Sequence, residues 1–286
     1  MLDREVLILR KKLLGIVCIM VIGISTSCVN YEKIIEEKEG DKGIVEANEE
    51  EIGVLVADLG DINDNGHTEK VIVEKNILKL TDGAKICYRT DVASDYIYTN
   101  IRAIMTDLDG DKQMEIAVLL ESEIECFGSY NPEKLYDVFV LNSNESGEYS
   151  LAQFPNEVDS KASYSGLCVD VTASGRFEYK VKCMEFETTI NLSRHYKESL
   201  LLGESHKNLL EKWDKIINSD YHGESLGVSY VMAVRDKEGN TILRVQQYVV
   251  GGDGAIIGYI ETDLQYDALG GYEVKDIRFI ERVSLM

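Results

Sequence analysis

Hydrophobic residues in this chain fall in short runs, several alternating with polar ones, and polar loops break them at near-regular intervals. The runs are Val54–Ala57, Lys70–Glu74, Lys85–Arg89, Arg102–Met105, Ile116–Leu120, Tyr136–Leu141 and Tyr149–Phe154. Rich in β-branched and aromatic residues and bounded by turn signals such as Asp82-Gly83 and Ser143-Asn144-Glu145-Ser146-Gly147, each reads as a β-strand. A further hairpin is expected from Gly166–Thr172 and Arg176–Met184 around Ala173-Ser174-Gly175. There Leu167, Val169 and Val171 share one face with Phe177, Tyr179 and Val181, so Cys183 belongs to the apolar face and Cys168 to the opposite one.

After Asn191 the period changes. Leu209, Leu210, Trp213, Ile216 and Ile217 recur at helical spacing, with Ser205 as N-cap, and predict an amphipathic helix packed on a sheet. Strands then return at Leu226–Arg235, Thr241–Val250, Ala255–Gln265 and Tyr272–Ile280, a four-stranded meander. Its turn at Asp236-Lys237-Glu238-Gly239-Asn240 reads as a hairpin turn, and Gly251–Gly254 lacks the Lys-Ser/Thr and following helix of a phosphate loop. The predicted fold is mainly β: a propeller-like or sandwich array of antiparallel β units with one amphipathic helical insertion. The expected divisions are a targeting segment over 1–27, a spacer over 28–52, a β domain over 53–191, the helical insertion over 192–222 and the meander over 223–286.

Two loops stand out from this pattern. Asp107-Leu108-Asp109-Gly110-Asp111-Lys112-Gln113-Met114-Glu115 lies between two apolar runs, with acids at positions 1, 3, 5 and 9. Asp61-Ile62-Asn63-Asp64-Asn65-Gly66-His67-Thr68-Glu69 aligns with it without a gap, 46 residues earlier, again between apolar runs. Oxygens at these positions can converge on one centre, which suits a hard divalent cation wanting six to eight oxygen ligands. Without a cation, carboxylates about 4 Å apart repel by roughly 1 kcal/mol in water and by several times more when partly buried. The alternative is a polar hairpin loop whose Asp and Asn side chains bond their own backbone. An EF-hand is excluded: position 12, where that loop needs a bidentate Glu between two helices, is Ile72 in one copy and Val118 in the other, both within strand-like runs.

Both segments resemble the FG-GAP or VCBS type of repeat, whose core reads strand, D-x-[DN]-x-[DN]-G-x-x-[DE], strand. The resemblance covers roughly residues 52 to 121, and Lys112 stands where the pattern has Gly. It implies calcium held by Asp107, Asp109, Asp111 and Glu115, and by Asp61, Asn63, Asn65 and Glu69, in a head that serves adhesion or binds protein or carbohydrate.

The start of the chain adds a location. Arg10-Lys11-Lys12 precede the apolar run Leu13–Ile24, too short to span a bilayer comfortably, and Ser25-Thr26-Ser27-Cys28 follows. This resembles a bacterial lipoprotein signal, with Ser25 where Leu is usual. It implies a diacylglycerol on the Cys28 thiol and a protein anchored to the cell membrane on its extracytoplasmic face. Val29–Ile52, dense in Glu and Lys, reads as a solvated spacer.

Composition narrows the partners. A chain of 286 residues with 44 % hydrophobic content can bury a sizeable core. A net charge of −21 and a pI near 4.6 argue against a nucleic-acid partner, since phosphate binding needs clustered Lys and Arg. Cys87, Cys126, Cys168 and Cys183 lack metal or redox spacing and read as buried small hydrophobes. His67, His195, His206 and His222 form no H-E-x-x-H, and no G-x-S-x-G occurs. The chain therefore reads as a calcium-stabilised binding module and not an enzyme. Two alternatives are a membrane-anchored extracellular hydrolase with an unrecognised catalytic pair, and an accessory or sensor lipoprotein acting through the C-terminal meander and its helix, which an exposed apolar patch around Trp213 would favour.

Overall fold

Alternation along the chain becomes three open antiparallel sheets in the computed structural model of the protein. The structure describes residues 44–46, 54–92, 97–123, 134–144, 146–155, 165–201, 211, 213, 222–223, 225–251 and 256–284. Cys28, Cys126, Ser205, Leu209, Leu210, Ile216, Ile217 and most of the Gly251–Gly254 loop lie outside them, as does the apolar run before Cys28.

The first sheet is a meander of β2 (Val54–Gly60), β3 (Glu69–Glu74), β4 (Ile77–Asp82) and β5 (Lys85–Asp91), with β1 (Ile44–Glu46) preceding it in the chain. The longest sheet holds β1, β6 (Ile97–Thr106), β7 (Glu115–Glu123), β8 (Leu135–Ser143), β14 (Ser225–Arg235), β15 (Thr241–Val250), β16 (Ile256–Tyr266) and β17 (Tyr272–Ser284), in that order, with β9 (Tyr149–Leu151) also on β8. A third sheet runs β12 (Phe186–Asn191), β11 (Glu178–Cys183), β10 (Asp170–Gly175), β13 (His222–Gly223). The described helix, α1 (Ser193–Leu201), starts where Asn191 Oδ1 accepts the Ser193 N–H at 3.0 Å.

Burial explains the texture of the sequence. In β3 only Glu69, Val71 and Val73 turn inward, so it alternates. Strands β7 and β8 are buried on both faces and read as nearly continuous apolar runs. One of their faces packs Ile116, Val118, Leu120 and Leu141 against Ala57, Val71, Leu78 and Leu80 of the first sheet. The other packs Ala117, Leu119, Val138 and Val140 against Val231, Leu243, Leu264 and Tyr266 of the C-terminal meander.

The third sheet closes on the long one through Leu167, Val171 and Val181, together with Val249, Ile257 and Trp213. Gln247, 1 % exposed, clips the two together by accepting the Leu167 N–H at 2.9 Å and donating to its carbonyl at 3.1 Å. Gly166 is required beside it, because a Cβ there would stand 2.3 Å from Gln247 Nε2.

Several expectations are corrected. Strand β4 was hidden by the two-residue turn Lys75-Asn76, where both residues take positive φ (51° and 61°), a primed hairpin turn without glycine. Strand β12 was also missed. The β10–β11 turn falls at Arg176-Phe177, since a bulge between Ala173 and Gly175 keeps the strand running through the residues expected to turn. Strand β9 ends at Leu151, short of Phe154. Ile44–Glu46 of the supposed spacer pairs with Arg102–Ile104 as an edge strand.

Trp213 is 1 % exposed and meets Tyr196 edge-on at 5.9 Å, which removes the exposed patch proposed around it. Cys183 is buried as its register demands, whereas Cys87 is half-buried and Cys168 exposed. The four C-terminal strands form as expected. At Asp236 desolvation is the largest single effect and raises the carboxyl, but the hydrogen bonds it accepts from Asn240, Glu238 and Gly239 together outweigh it and leave the pKa lowered.

One polar pair is buried in the middle of this fold. Asp137 on β8, 5 % exposed, accepts the Tyr98 hydroxyl; burial pushes its carboxyl up, and that hydroxyl opposes the shift. An acid with a raised folded pKa favours folding most when protonated, below the ordinary carboxylate range, and loses that advantage as pH rises through the raised value. Tyr98→Phe removes the donor to the ionised form, so it should cost about 2 kcal/mol at pH 8 and clearly less at pH 4. Denaturant titrations at the two pH values measure the difference; an equal loss at both would remove the hydroxyl's role as donor to a carboxylate.

Candidate functional site

Both acid-rich loops join antiparallel neighbours, the first between β2 and β3 and the second between β6 and β7. In each, position 9 is the first residue of the second strand and points inward: Glu69 and Glu115 are each 1 % exposed. The strand pattern does this. Glu69 occupies the same face as Val71 and Val73, so the acid is carried into the core by its apolar neighbours.

The internal hydrogen bonds correspond at all but one donor: Asp61 takes the N–H of position 5 where Asp107 takes that of position 4. The N–H at position 2 donates to Oε2 of position 9, from Ile62 to Glu69 at 2.9 Å and from Leu108 to Glu115 at 2.7 Å. Oδ1 at position 3 accepts the N–H of position 5, Asn65 to Asn63 at 3.1 Å and Asp111 to Asp109 at 3.0 Å. Oδ1 at position 5 accepts the N–H of position 7, His67 to Asn65 at 2.8 Å and Gln113 to Asp111 at 2.7 Å. The position 1 carboxylate gathers two more N–H groups, from Asn65 and Gly66 to Asp61 and from Gly110 and Lys112 to Asp107. The self-bonded hairpin loop weighed as an alternative is therefore present in both copies, and it leaves some carboxylate oxygens over.

Backbone conformation corresponds as well. Positions 4 and 6 are left-handed in both loops: Asp64 (φ 57°) and Gly66 (φ 86°), then Gly110 (φ 86°) and Lys112 (φ 75°). The glycine has changed places between the copies, and a non-glycine residue takes the strained position in each. Lys112, the departure from the family pattern, thus holds the conformation its Gly counterpart holds.

The copies differ in what remains. In the second loop Asp107, Asp109 and Glu115 each present an oxygen within 4.8 Å of the others. Asp109 Oδ2 and Glu115 Oε1 are shielded from solvent and have no hydrogen-bond partner. Burial pushes the Glu115 carboxyl up to about 7, with repulsion from Asp109, Asp111 and Asp107 adding to it. The Asp109 carboxyl is raised for the same reasons. Asp111 is exposed and stands outside the group of three.

In the first loop the corresponding atoms are bonded to each other: Asn63 Nδ2 donates to Glu69 Oε1. Asn65 Nδ2 reaches out of the loop to Asp82 Oδ2 at 2.8 Å. Burial raises the Glu69 carboxyl too, opposed by the Ile62 N–H and reinforced by Asp82. Asp61, Asn63, Asn65 and Glu69 are therefore brought together, but mostly with one another and the backbone.

Sequence reasoning missed two residues here. Asp82, read only as a turn former, ends β4 directly across from Glu69. Tyr149 on β9 has its phenol pushed up to about 12, first by burial and then by Glu69, Cys87, Glu115 and Asp82, so acids of both loops act on one hydroxyl. An inward-facing carboxylate at the start of an alternating strand was the available signal for Glu69 and Glu115; nothing local marked Tyr149.

The cation geometry fits the residues present in the second loop. Three convergent carboxylates, two of them with a buried unmatched oxygen, suit a hard divalent ion and offer nothing to a soft one. Lys112→Gly relieves a left-handed side chain and should stabilise the protein by about 1 kcal/mol, read from the denaturant midpoint. An unchanged or lowered midpoint would mean that the Lys112 side chain holds the loop. Among the described residues no helix is long and apolar enough to cross a membrane. Compared with protein-family models, curated proteins and solved structures, the chain matches none of them.

Proposed function

We propose that this chain is a cell-surface lipoprotein, anchored through an acylated Cys28, whose β head is braced by calcium in the Asp107–Glu115 loop and serves as a binding or adhesion module. The calcium reading is carried by one observation: Asp109 Oδ2 and Glu115 Oε1 are buried acceptors beside Asp107 with no donor to meet them. Two anionic oxygens repel in such a place unless a proton or a cation lies between them, and a divalent ion is the partner that would also draw in Asp107. Asp107, Asp109 and Glu115 are the proposed ligands, with Asp111 at the rim holding the loop through the Gln113 N–H.

The matched hydrogen bonding of the two loops supports reading them as FG-GAP or VCBS-like units. The apolar layer shared by β6–β8 and β14–β17 supports a sandwich-like arrangement over a propeller. The anchor reading rests on the Cys28 signal in the sequence. A ligand of protein or carbohydrate chemistry follows from the family resemblance.

Extracellular calcium modules bind at about 0.1 to 1 mM, so the loop would fill outside a cell and empty inside. At a hundredfold excess over Kd, binding to the folded state alone adds about 2.7 kcal/mol, a rise of roughly 5 to 10 °C in Tm. Asp109→Asn should abolish that rise and at the same time raise the Tm in chelator, because the new amide gives Glu115 Oε1 the donor that Asn63 gives Glu69. Asp111→Asn should keep most of the rise. Thermal melts with calcium and with chelator read all three; a calcium shift that survives Asp109→Asn sinks the assignment.

The anchor has its own test. Cys28→Ala should move the protein from the membrane to the soluble fraction and end its labelling by radioactive fatty acid. Labelled, membrane-bound Cys28→Ala protein would remove the lipoprotein reading.

A further inference from the structure

We infer that the first loop is a cation-independent copy of the second, in which the Asn63 side-chain amide stands where the second loop takes its ion, so the chain binds one calcium and not two. This rests on the reading of the Asp107–Glu115 loop as a cation site, and it withdraws Asp61, Asn63, Asn65 and Glu69 from the ligand set that the family resemblance implies.

The argument is one of matched atoms. In both loops Oδ1 of position 3 is already taken by the backbone N–H of position 5, and Oε2 of position 9 by the N–H of position 2. On each side chain one atom is left without a backbone bond. A backbone N–H can only donate, so Asn63 must present its oxygen to Asn65 and its NH2 to Glu69 Oε1; the amide orientation is fixed by chemistry. In the second loop the same two places hold Asp109 Oδ2 and Glu115 Oε1, acceptors both, and both unmatched. One atom exchanged at position 3, nitrogen for oxygen, converts a closed hydrogen-bonded pair into two neighbouring acceptors with no donor for either.

A second amide strengthens the closure. Asn65, at the position of Asp111, carries no charge and spends its NH2 on Asp82 Oδ2 at 2.8 Å, tying the first loop to the end of β4. Asp82 and Glu69 face each other across the β3–β4 ladder, and each accepts one of the two amides, although Asp82 Oδ1 stays unmatched. The first hairpin is thus held by protein donors at any calcium concentration, while the second depends on what the medium supplies. Loss of calcium then acts on one corner of the molecule: the Leu108 N–H and the Leu108 side chain, 2 % exposed in the layer shared with Val231, Leu264 and Tyr266.

Calorimetric calcium titration of the full chain, with wild type, Asn63→Asp and Asp109→Asn side by side, tests the count. Expected stoichiometries are one, two and none, since Asn63→Asp recreates in the first loop the Asp-Asp-Glu set of the second. Two ions in the wild type would overturn the inference and leave the second-loop site standing. One ion in both wild type and Asn63→Asp would also overturn it. No ion in the wild type would sink the second-loop reading, and this inference with it, whatever Asn63→Asp binds.

Should Asn63→Asp fail to fold, amide hydrogen exchange of the wild type in chelator decides. The Ile62 N–H should stay protected while the Leu108 N–H exchanges at least tenfold faster than in calcium. Loss of protection at Ile62 on chelation would overturn the inference.

Discussion

Two buried carboxylate oxygens without a donor, on Asp109 and Glu115, set the terms for the middle of this protein. Their placement is not a local accident. Glu115 opens β7, which is buried on both faces, and the residues after it, Ile116 to Leu120, are pinned between two apolar layers. Fixing those five residues fixes the Glu115 side chain, so the cost of holding an acid in the core is met by the packing of its own strand. The same strand start brings Glu69 inward in the first loop. There the Asn63 amide donates to the acid within the chain; in the second loop Glu115 Oε1 meets no such donor.

From that point the effect spreads through Leu108. Its N–H holds Glu115 Oε2 and its side chain enters the layer joining β6–β8 to β14–β17. Among the described residues these two halves of the long sheet share one ladder pair, Val228 with Tyr136, and the side-chain layer between them is the larger contact. The turn Asp267–Gly271 adds to it, with the Gln153 N–H donating to the Gly270 carbonyl and Asn142 to that of Ala268. A loop that decides where Leu108 sits therefore bears on a junction whose paired residues, Tyr136 and Val228, are 92 apart in sequence.

Much of the fold was legible because burial on one or two faces leaves a period in the sequence. The four C-terminal strands, and the inward set Leu167, Val169, Val171, Tyr179 and Val181, follow from alternation alone. What was missed involves backbone conformations that side-chain pattern does not report. Lys75-Asn76 makes a primed turn without glycine and conceals β4, and a bulge carries β10 through residues of turn character. Ile44–Glu46 sits in an acidic stretch and owes its strand form to a partner about 60 residues later, which no local signal announces.

The loops were legible as a pair, because nine positions align and both lie between apolar runs. Their difference was visible too, but its meaning was not. Asn63 against Asp109 reads in sequence as a lost charge and hence a weaker version of one site. Structure changes the sense of that substitution: once Oδ1 is committed to a backbone donor, the remaining atom is a donor in one loop and an acceptor in the other. Affinity does not fall along a scale between them. A hydrogen-bonded amide and a cation exclude each other at that position, since the NH2 would meet the ion with like charge and the carboxylate it bonds would have to release it. Motif matching that treats Asp and Asn as equivalent at position 3 overlooks that exchange of a donor for an acceptor.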